Sequence, residues 1–280
     1  MTNHIHGAKW WKFDFHNHTP ASEDFGKGDD VHKAISPEDW LLMYMRADID
    51  CVAITDHNSG EWIDKLKVAN ASLENEKPEG YRKLYIFPGV ELNVNTGIHV
   101  LAIFDLSKTT ADITKVIGAC EYQGTMGYSD GVTVKSLEQV IEIIVKNEGI
   151  PIPAHVDENA GLFIIQHGIT LRQTLQTNYE YLLAIELINK DFEMPEIYKQ
   201  SKLNLTKVVG SDSHIAAQVG TNYTWVKMSE PSLDALKLAL HDGEDGVIRK
   251  DEITVDPNAI NNRYFIESIS VTDGFKAGNG

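Results

Sequence analysis

A chain of 280 residues, 42% hydrophobic and 24% charged, has the composition of an ordinary globular protein and the length to bury a large core. Its formal net charge of −16 argues against coating a nucleic-acid duplex, which needs lysine and arginine to displace counterions, but leaves capture of a small phosphoester or a strand end open. No apolar run reaches the about 18 residues needed to span a bilayer; residues 1–12 lack an apolar signal-peptide core, and with only Cys51 and Cys120 a reducing cytoplasm is the expected setting.

In chain order, residues 11–15 read as a strand. Residues 37–47 read as a helix, with Ser36 as N-cap and Pro37 at its first position. Residues 51–55 are again strand-like, followed by a helical stretch through Trp62, Leu66 and Ala69. Strands are expected at 84–87 and 99–104, and a helix at 137–145, whose apolar residues recur at helical spacing. Then come a strand at 150–154, a helix near 171–175, a strand at 183–187, a helix near 194–199 and a strand at 207–209. The pattern closes with a strand at 223–228, a helix at 233–240 and a short apolar run at 247–248. Alternation of this kind implies parallel strands joined by crossover helices, an α/β class. The domain predicted from this pattern covers residues 1–255; residues 256–280 read as a linker followed by a strand-like run at 264–271 and a glycine-rich end.

Six histidines and three carboxylates fall in short pockets along this pattern: His16 and His18 with Asp24, His57, Glu91, His99, His155, and Asp212 with His214. His16, Asp56, Glu91, His155 and Asp212 each follow an apolar run, and α/β barrels place their chemistry at the carboxyl ends of strands. Imidazole and carboxylate without cysteine is the ligand set of hydrolytic Zn, Mn or Fe centres, and nine such groups exceed the needs of one ion. His16 and His18, one residue apart, share a face of an extended segment and suit one ion; Asp212 and His214 repeat that spacing. A single histidine is usually a core or capping residue, but that explanation does not extend to the whole set.

The segment from His16 to Asp24, Thr55-Asp56-His57, Gly89-Val90-Glu91, His99, His155 and Gly210-Ser211-Asp212-Ser213-His214 resemble, in order and content, the motifs of the polymerase and histidinol phosphatase (PHP) superfamily over about residues 10–250. The resemblance implies a distorted (βα)7 TIM-like barrel with a trinuclear metal site at the carboxyl ends of its strands, holding two or three divalent ions (Mn, Zn or Fe). It implies hydrolysis of phosphoesters by a metal-bridged hydroxide. Carried over, His16, His18, Glu91 and Asp212 hold a first ion, Asp24, His57 and His214 a second, and Glu91, His99 and His155 a third, with Glu91 bridging. His16, His18, Glu91, Asp212 and His214 stand as the catalytic set. Asp24 occupies a position that is often histidine in the family, a harder ligand favouring Mn or Fe. Asp56 is expected to orient a ligand rather than bind. Residues 7–12 and 19–22 are also similar to the TrlF-like subgroup, in which the domain precedes an ABC/SMC-like ATPase. That implies an ATPase domain or subunit as partner and a nuclease role in repair or phage defence. No phosphate-binding Gly-x-x-x-x-Gly-Lys-Ser/Thr loop occurs in the chain.

Lys27, Arg46, Arg82, Arg172 and Arg249 are candidates to grip phosphate, Lys27 foremost because it lies beside Asp24. Trp10 and Trp11 offer either a stacking surface for a base or packing against the barrel. Three readings follow: a phosphoesterase of nucleotides or nucleic-acid ends, a small-metabolite phosphatase of the histidinol phosphate or nucleoside bisphosphate type, and a noncatalytic metal-stabilised docking module.

Overall fold

The computed structural model describes residues 7–201 and 203–259. Strand β1 (Lys9–Asp14) leads to a short helix α1 (Asp30–Lys33), and α2 (Pro37–Arg46) starts where the Ser36 hydroxyl accepts from the Asp39 N–H. Next come β2 (Cys51–Ile54), α3 (Ile63–Glu76), β3 (Tyr85–Val94), β4 (Ile98–Ile103), α4 (Thr110–Ala119) and α5 (Leu137–Lys146). Both α4 and α5 open on capping boxes, Thr109 with Asp112 and Ser136 with Gln139. The remainder is β5 (Ile150–Pro153), α6 (Leu162–Ile165), α7 (Gly168–Asn178), β6 (Ala184–Glu186), α8 (Glu196–Ser201), β7 (Thr206–Val208), β8 (Thr224–Met228), α9 (Leu233–Asp242) and β9 (Val247–Arg249). No helix among the described residues is long and apolar enough to cross a membrane.

Seven strands form one mixed sheet in the order β5-β4-β3-β2-β1-β8-β9, and β6 and β7 form a parallel pair. The sheet curls into a half-barrel, and the β6–β7 pair lies across its opening. On one side the Val156 N–H donates to the Glu186 carbonyl (2.9 Å); on the other, the Asp212 N–H donates to the His16 carbonyl (2.7 Å). Alternation along the strands sorts side chains to two faces. Phe13, Ala53, Phe87, Leu101, Ile152 and Val208 fill the concave interior, while Val52, Ile54 and Ile86 face the helices.

The sequence pattern implies parallel strands throughout, and the structure departs from it in three places. β1, β2 and β3 are parallel, but β4 runs antiparallel to both β3 and β5, and β8 and β9 are antiparallel to their neighbours. Only residues 95–97 separate β3 from β4, too few for a crossover, and Thr96 and Gly97 turn the chain with φ of 81° and 84°. Because the hairpin prolongs β3, that strand runs seven residues beyond the 87 at which the apolar run ends, so Glu91 lies within a strand rather than after one, while His99 falls in β4 as expected. The strand expected at 264–271, the glycine-rich end after it, and His4 and His6 lie outside the described residues. The Asn258 side chain bonds both the N–H and the carbonyl of Trp10 (2.9 Å each), tying the beginning of the expected linker to β1.

Candidate metal centre

The nine side chains singled out by sequence come from six segments and meet at one mouth of the half-barrel. Glu91, buried to 1% exposure in β3, is the hub. Its Oε1 lies 2.7 Å from His99 Nδ1, 3.2 Å from His155 Nε2 and 3.5 Å from His16 Nε2; its Oε2 lies 2.7 Å from His57 Nδ1 and 3.8 Å from His18 Nε2. Asp212 Oδ1 sits 3.2 Å from His18 Nε2 and 3.5 Å from His16 Nε2. Asp24 Oδ2 is shared between His57 Nε2 (3.3 Å) and His214 Nε2 (3.2 Å). Three subsets place one ligand atom each within 4.8 Å of the others: His16, His18 and Glu91; His18, His57 and His214; Glu91, His99 and His155.

Some of these contacts are hydrogen bonds, among them Glu91 Oε1 with His99 and His155, His57 with Asp24 and His18 with Asp212, but others are not. Glu91 Oε2 and His57 Nδ1 are 2.7 Å apart, yet neither has an aligned partner, and Asp24 Oδ1, His155 Nδ1 and His214 Nε2 are likewise buried and unpaired. Buried polar atoms are seldom left so. Imidazole and carboxylate atoms converging from several directions, with some left unpaired, fit divalent cations.

The electrostatics follow from the crowding. Burial opposes charge on His57, but Glu91 and Asp24 outweigh it and raise the imidazole to about 10. His16 is raised well above the usual range against its burial, by Glu186, Asp212 and Glu91. His18 goes the other way, to about 3, because burial is reinforced by His57 and His214. Glu91 is held well below the usual carboxylate range despite complete burial, by His99, His16 and His57. Asp24 and Asp212 are depressed likewise.

A ring of buried groups orients these side chains, and the sequence reading missed most of it. Glu186 at the end of β6 accepts from His16 Nδ1 (2.8 Å) and the His155 N–H (3.0 Å) through Oε2, and from the Gly210 N–H (3.1 Å) through Oε1. With Nδ1 so engaged, His16 presents Nε2 to the centre. Asp14 accepts from the Ser211 N–H (2.8 Å) and hydroxyl (2.6 Å) next to Asp212, and burial pushes its carboxyl up to about 7. The signal for both acids was a lone carboxylate inside an apolar strand run. Asp56 accepts from Thr19 N–H and Oγ (2.7 Å each) and from Ser22 Oγ (2.8 Å), and Ser22 Oγ lies 3.0 Å from His18 Nδ1. Gly210 approaches the His16 backbone so closely that a Cβ there would overlap it.

The basic candidates disperse. Arg249, at the end of β9, is buried, donating to the carbonyls of Leu187, Ile188 and Val208 and paired with Asp251 (2.8 Å). Arg82 pairs with Asp50 (2.5 Å) at the amino end of β2, the wrong end for the mouth. Arg46 packs on Gly80, and Arg172 lines a cavity of about 390 Å³ between α7 and α8. Lys27 alone stays near the centre, exposed on the loop whose Lys27 N–H donates to the Asp24 carbonyl (3.2 Å). Trp11 packs: it is buried, donates Nε1–H to the Met228 carbonyl (2.9 Å) and meets Tyr85 edge-on. His32 stacks on Phe25, and His167 and His241 are exposed.

Comparison with known proteins bears on this geometry. A family model described as PHP-associated matches residues 200–244, the stretch containing Asp212 and His214. The lesion-specific endonuclease EndoQ of Pyrococcus furiosus matches with a TM-score of 0.61 and 13% identity over 86% of this chain and 58% of that one. A two-domain Bacteroides vulgatus protein containing a predicted PHP-like metal-dependent phosphoesterase matches at 0.50 and 17%, over 86% and 65%. The fold is PHP-like. An Endonuclease Q complex with a 27-mer duplex carrying an abasic lesion at the active site matches at 0.58 and 14%, over 84% and 57%. The chain spans less than two thirds of each of these three proteins. No curated protein matches the sequence.

Proposed function

We propose that this PHP-like unit is a metal-dependent phosphoester hydrolase acting on nucleotides or nucleic-acid ends. The observation that carries the reading is the convergence of six imidazoles and three carboxylates, with Glu91 at the hub of five of the imidazoles and buried polar atoms left unpaired. In this reading His16, His18, Glu91 and Asp212 hold one ion, Asp24, His57 and His214 a second, and Glu91, His99 and His155 a third, the two or three ions being Mn, Zn or Fe. Divalent ions there would acidify water for attack and neutralise charge on the phosphoester.

The chain's own contribution is to prepare that site. Glu91 offers one oxygen toward His99 and His155 and the other toward His57 and His18, a bridging disposition. Glu186 and Ser22 hold the His16 and His18 rings so that both Nε2 atoms face inward. Among the described residues the arginines are engaged or located elsewhere, so charge on the substrate would be met mainly by ions rather than by guanidinium groups. Nucleic acid is favoured over metabolites as the substrate because a structure sharing this fold is a complex with a duplex that has an abasic lesion at the active site. The TrlF-like resemblance extends the proposal to a hydrolytic effector working with an ATPase, carried on residues 1–255 with residues 256–280 leading onward.

The test is turnover by the purified chain with Mn, against p-nitrophenyl phosphate, bis-p-nitrophenyl phosphate and end-labelled oligonucleotides. Diester hydrolysis with oligonucleotide trimming is the expected result. Turnover of monoesters alone would turn the assignment to a metabolite phosphatase. Inertness of fully metal-loaded protein toward all three would leave only a docking role.

A further inference from the structure

Next to the metal centre lies a groove of about 400 Å³, walled by the β3–β4 hairpin (Asn93, Gly97, His99) and by loop residues 129–132. His99 belongs to both, so the groove opens directly onto the Glu91 cluster. Asn93 stands two residues beyond Glu91 on the same face of β3 and directly opposite His99 in the ladder. Its backbone is fully used: the N–H donates to Asn58 Oδ1 (3.0 Å) and the carbonyl accepts from the Thr133 N–H (2.9 Å). Its side chain is not. Asn93 is 4% exposed, yet Oδ1 has no hydrogen-bond partner. An amide oxygen buried and unpaired on a groove wall, next to the Glu91 cluster, is an acceptor waiting for a ligand.

The opposite wall is preformed. Loop 120–136 is pinned by Glu23 N–H to Gly127 carbonyl (2.8 Å), by Asn58 Nδ2 to Tyr128 carbonyl (3.0 Å), and by Gln123 N–H to Val132 carbonyl (3.0 Å). A Cβ at Gly127 would overlap the Ala21 carbonyl, and one at Gly131 the Gln123 carbonyl, so the loop fits only as folded. It nevertheless exposes Met126, Tyr128, Val132 and Val134, an apolar group concentrated beside a polar site. No lysine or arginine lines the groove, and the Asp130 carboxylate, kept ionised by Thr125, does. A second phosphate is disfavoured there. A flat neutral group with hydrogen-bonding edges is suited.

We infer that this groove is the nucleobase subsite, with Asn93 pairing to the base edge and Val132 packing on it while the adjoining phosphate lies at the Glu91 centre. The inference rests on the hydrolase reading above and names its substrate class. An asparagine amide is complementary to a base edge carrying one donor and one acceptor, and the walls admit one base with its sugar.

The test compares two diesters with the same leaving group: the p-nitrophenyl ester of thymidine 5′-monophosphate and bis-p-nitrophenyl phosphate. The Mn-loaded chain is expected to prefer the nucleoside ester in kcat/KM. Asn93→Leu and, on the exposed wall, Val132→Glu should each lower that preference about tenfold, mainly through KM, the size of one lost neutral contact. A preference unmoved by both variants overturns the subsite. If the chain hydrolyses neither ester, the hydrolase reading fails; the groove is still read by saturation-transfer NMR with thymidine and adenosine on ion-free protein. Transfer abolished by Asn93→Leu supports the subsite, and no transfer to either nucleoside overturns it.

Discussion

Glu186→Gln isolates the contribution of an acid that touches no proposed ion. In the wild type its two oxygens accept three hydrogen bonds, from His16 Nδ1 (2.8 Å), the His155 N–H (3.0 Å) and the Gly210 N–H (3.1 Å), at full burial. Glutamine keeps the shape but has one oxygen. In its better orientation the amide nitrogen faces the Gly210 N–H, orphaning one buried donor at about 1–3 kcal/mol. The bond to His16 also changes from charge-assisted to neutral, roughly halving its strength. His16 then loses the constraint that presents Nε2, and altering such a partner typically weakens metal binding about 10–100-fold. That corresponds to about 1.4–2.8 kcal/mol, consistent with the bond count. The assay is calorimetric titration of ion-stripped protein with Mn, alongside thermal unfolding with and without metal. Weakened Mn binding with a cooperative melt is expected. Binding within about twofold of wild type would refute the argument that Glu186 positions His16.

Binding of Mn should release protons at neutral pH. With His57 raised to about 10 and His16 well above its ordinary range, both carry protons that ligation must displace, so apparent affinity rises as pH rises from 6 to 8; titrations in buffers of different ionisation enthalpy measure this, and zero net release would contradict it. The double variant His16→Ala/His18→Ala should remain folded by circular dichroism and lose at least about 100-fold in turnover; unchanged turnover would remove both from the mechanism. Arg249→Met strips donors from the Leu187, Ile188 and Val208 carbonyls and from the exposed Asp251, costing about 1–3 kcal/mol in urea unfolding, while metal stoichiometry in the surviving folded protein stays at the wild-type value. Gly210→Ala places a methyl against the His16 backbone and should destabilise by about 1–3 kcal/mol, read as a lowered melting temperature.

The chemistry-bearing residues stood out along the chain because their identity is local information. His16-Asn17-His18, Thr55-Asp56-His57 and Gly210-Ser211-Asp212-Ser213-His214 combine ligand types at spacings that strand geometry turns to one face, and apolar runs beside them announced most of the strands. What sequence order does not contain is strand direction and strand partnership. The β3–β4 hairpin reverses β4, carries Glu91 into mid-strand and sets Asn93 opposite His99, none of which an apolar count reveals.

Burial likewise belongs to the fold. Arg249 and Arg82 look like phosphate anchors as letters, but the first is clamped by backbone carbonyls at the ends of β6 and β7 and the second sits at the opposite strand ends. Glu186 and Asp14 acquire their partners only when the half-barrel closes over them, and loop 120–136 gains its shape only where its backbone is pinned to the rim. The physical reason is the same throughout: ligand identity is written residue by residue, whereas the field, the partner atom and the face each residue meets are set only when segments far apart in sequence pack against one another.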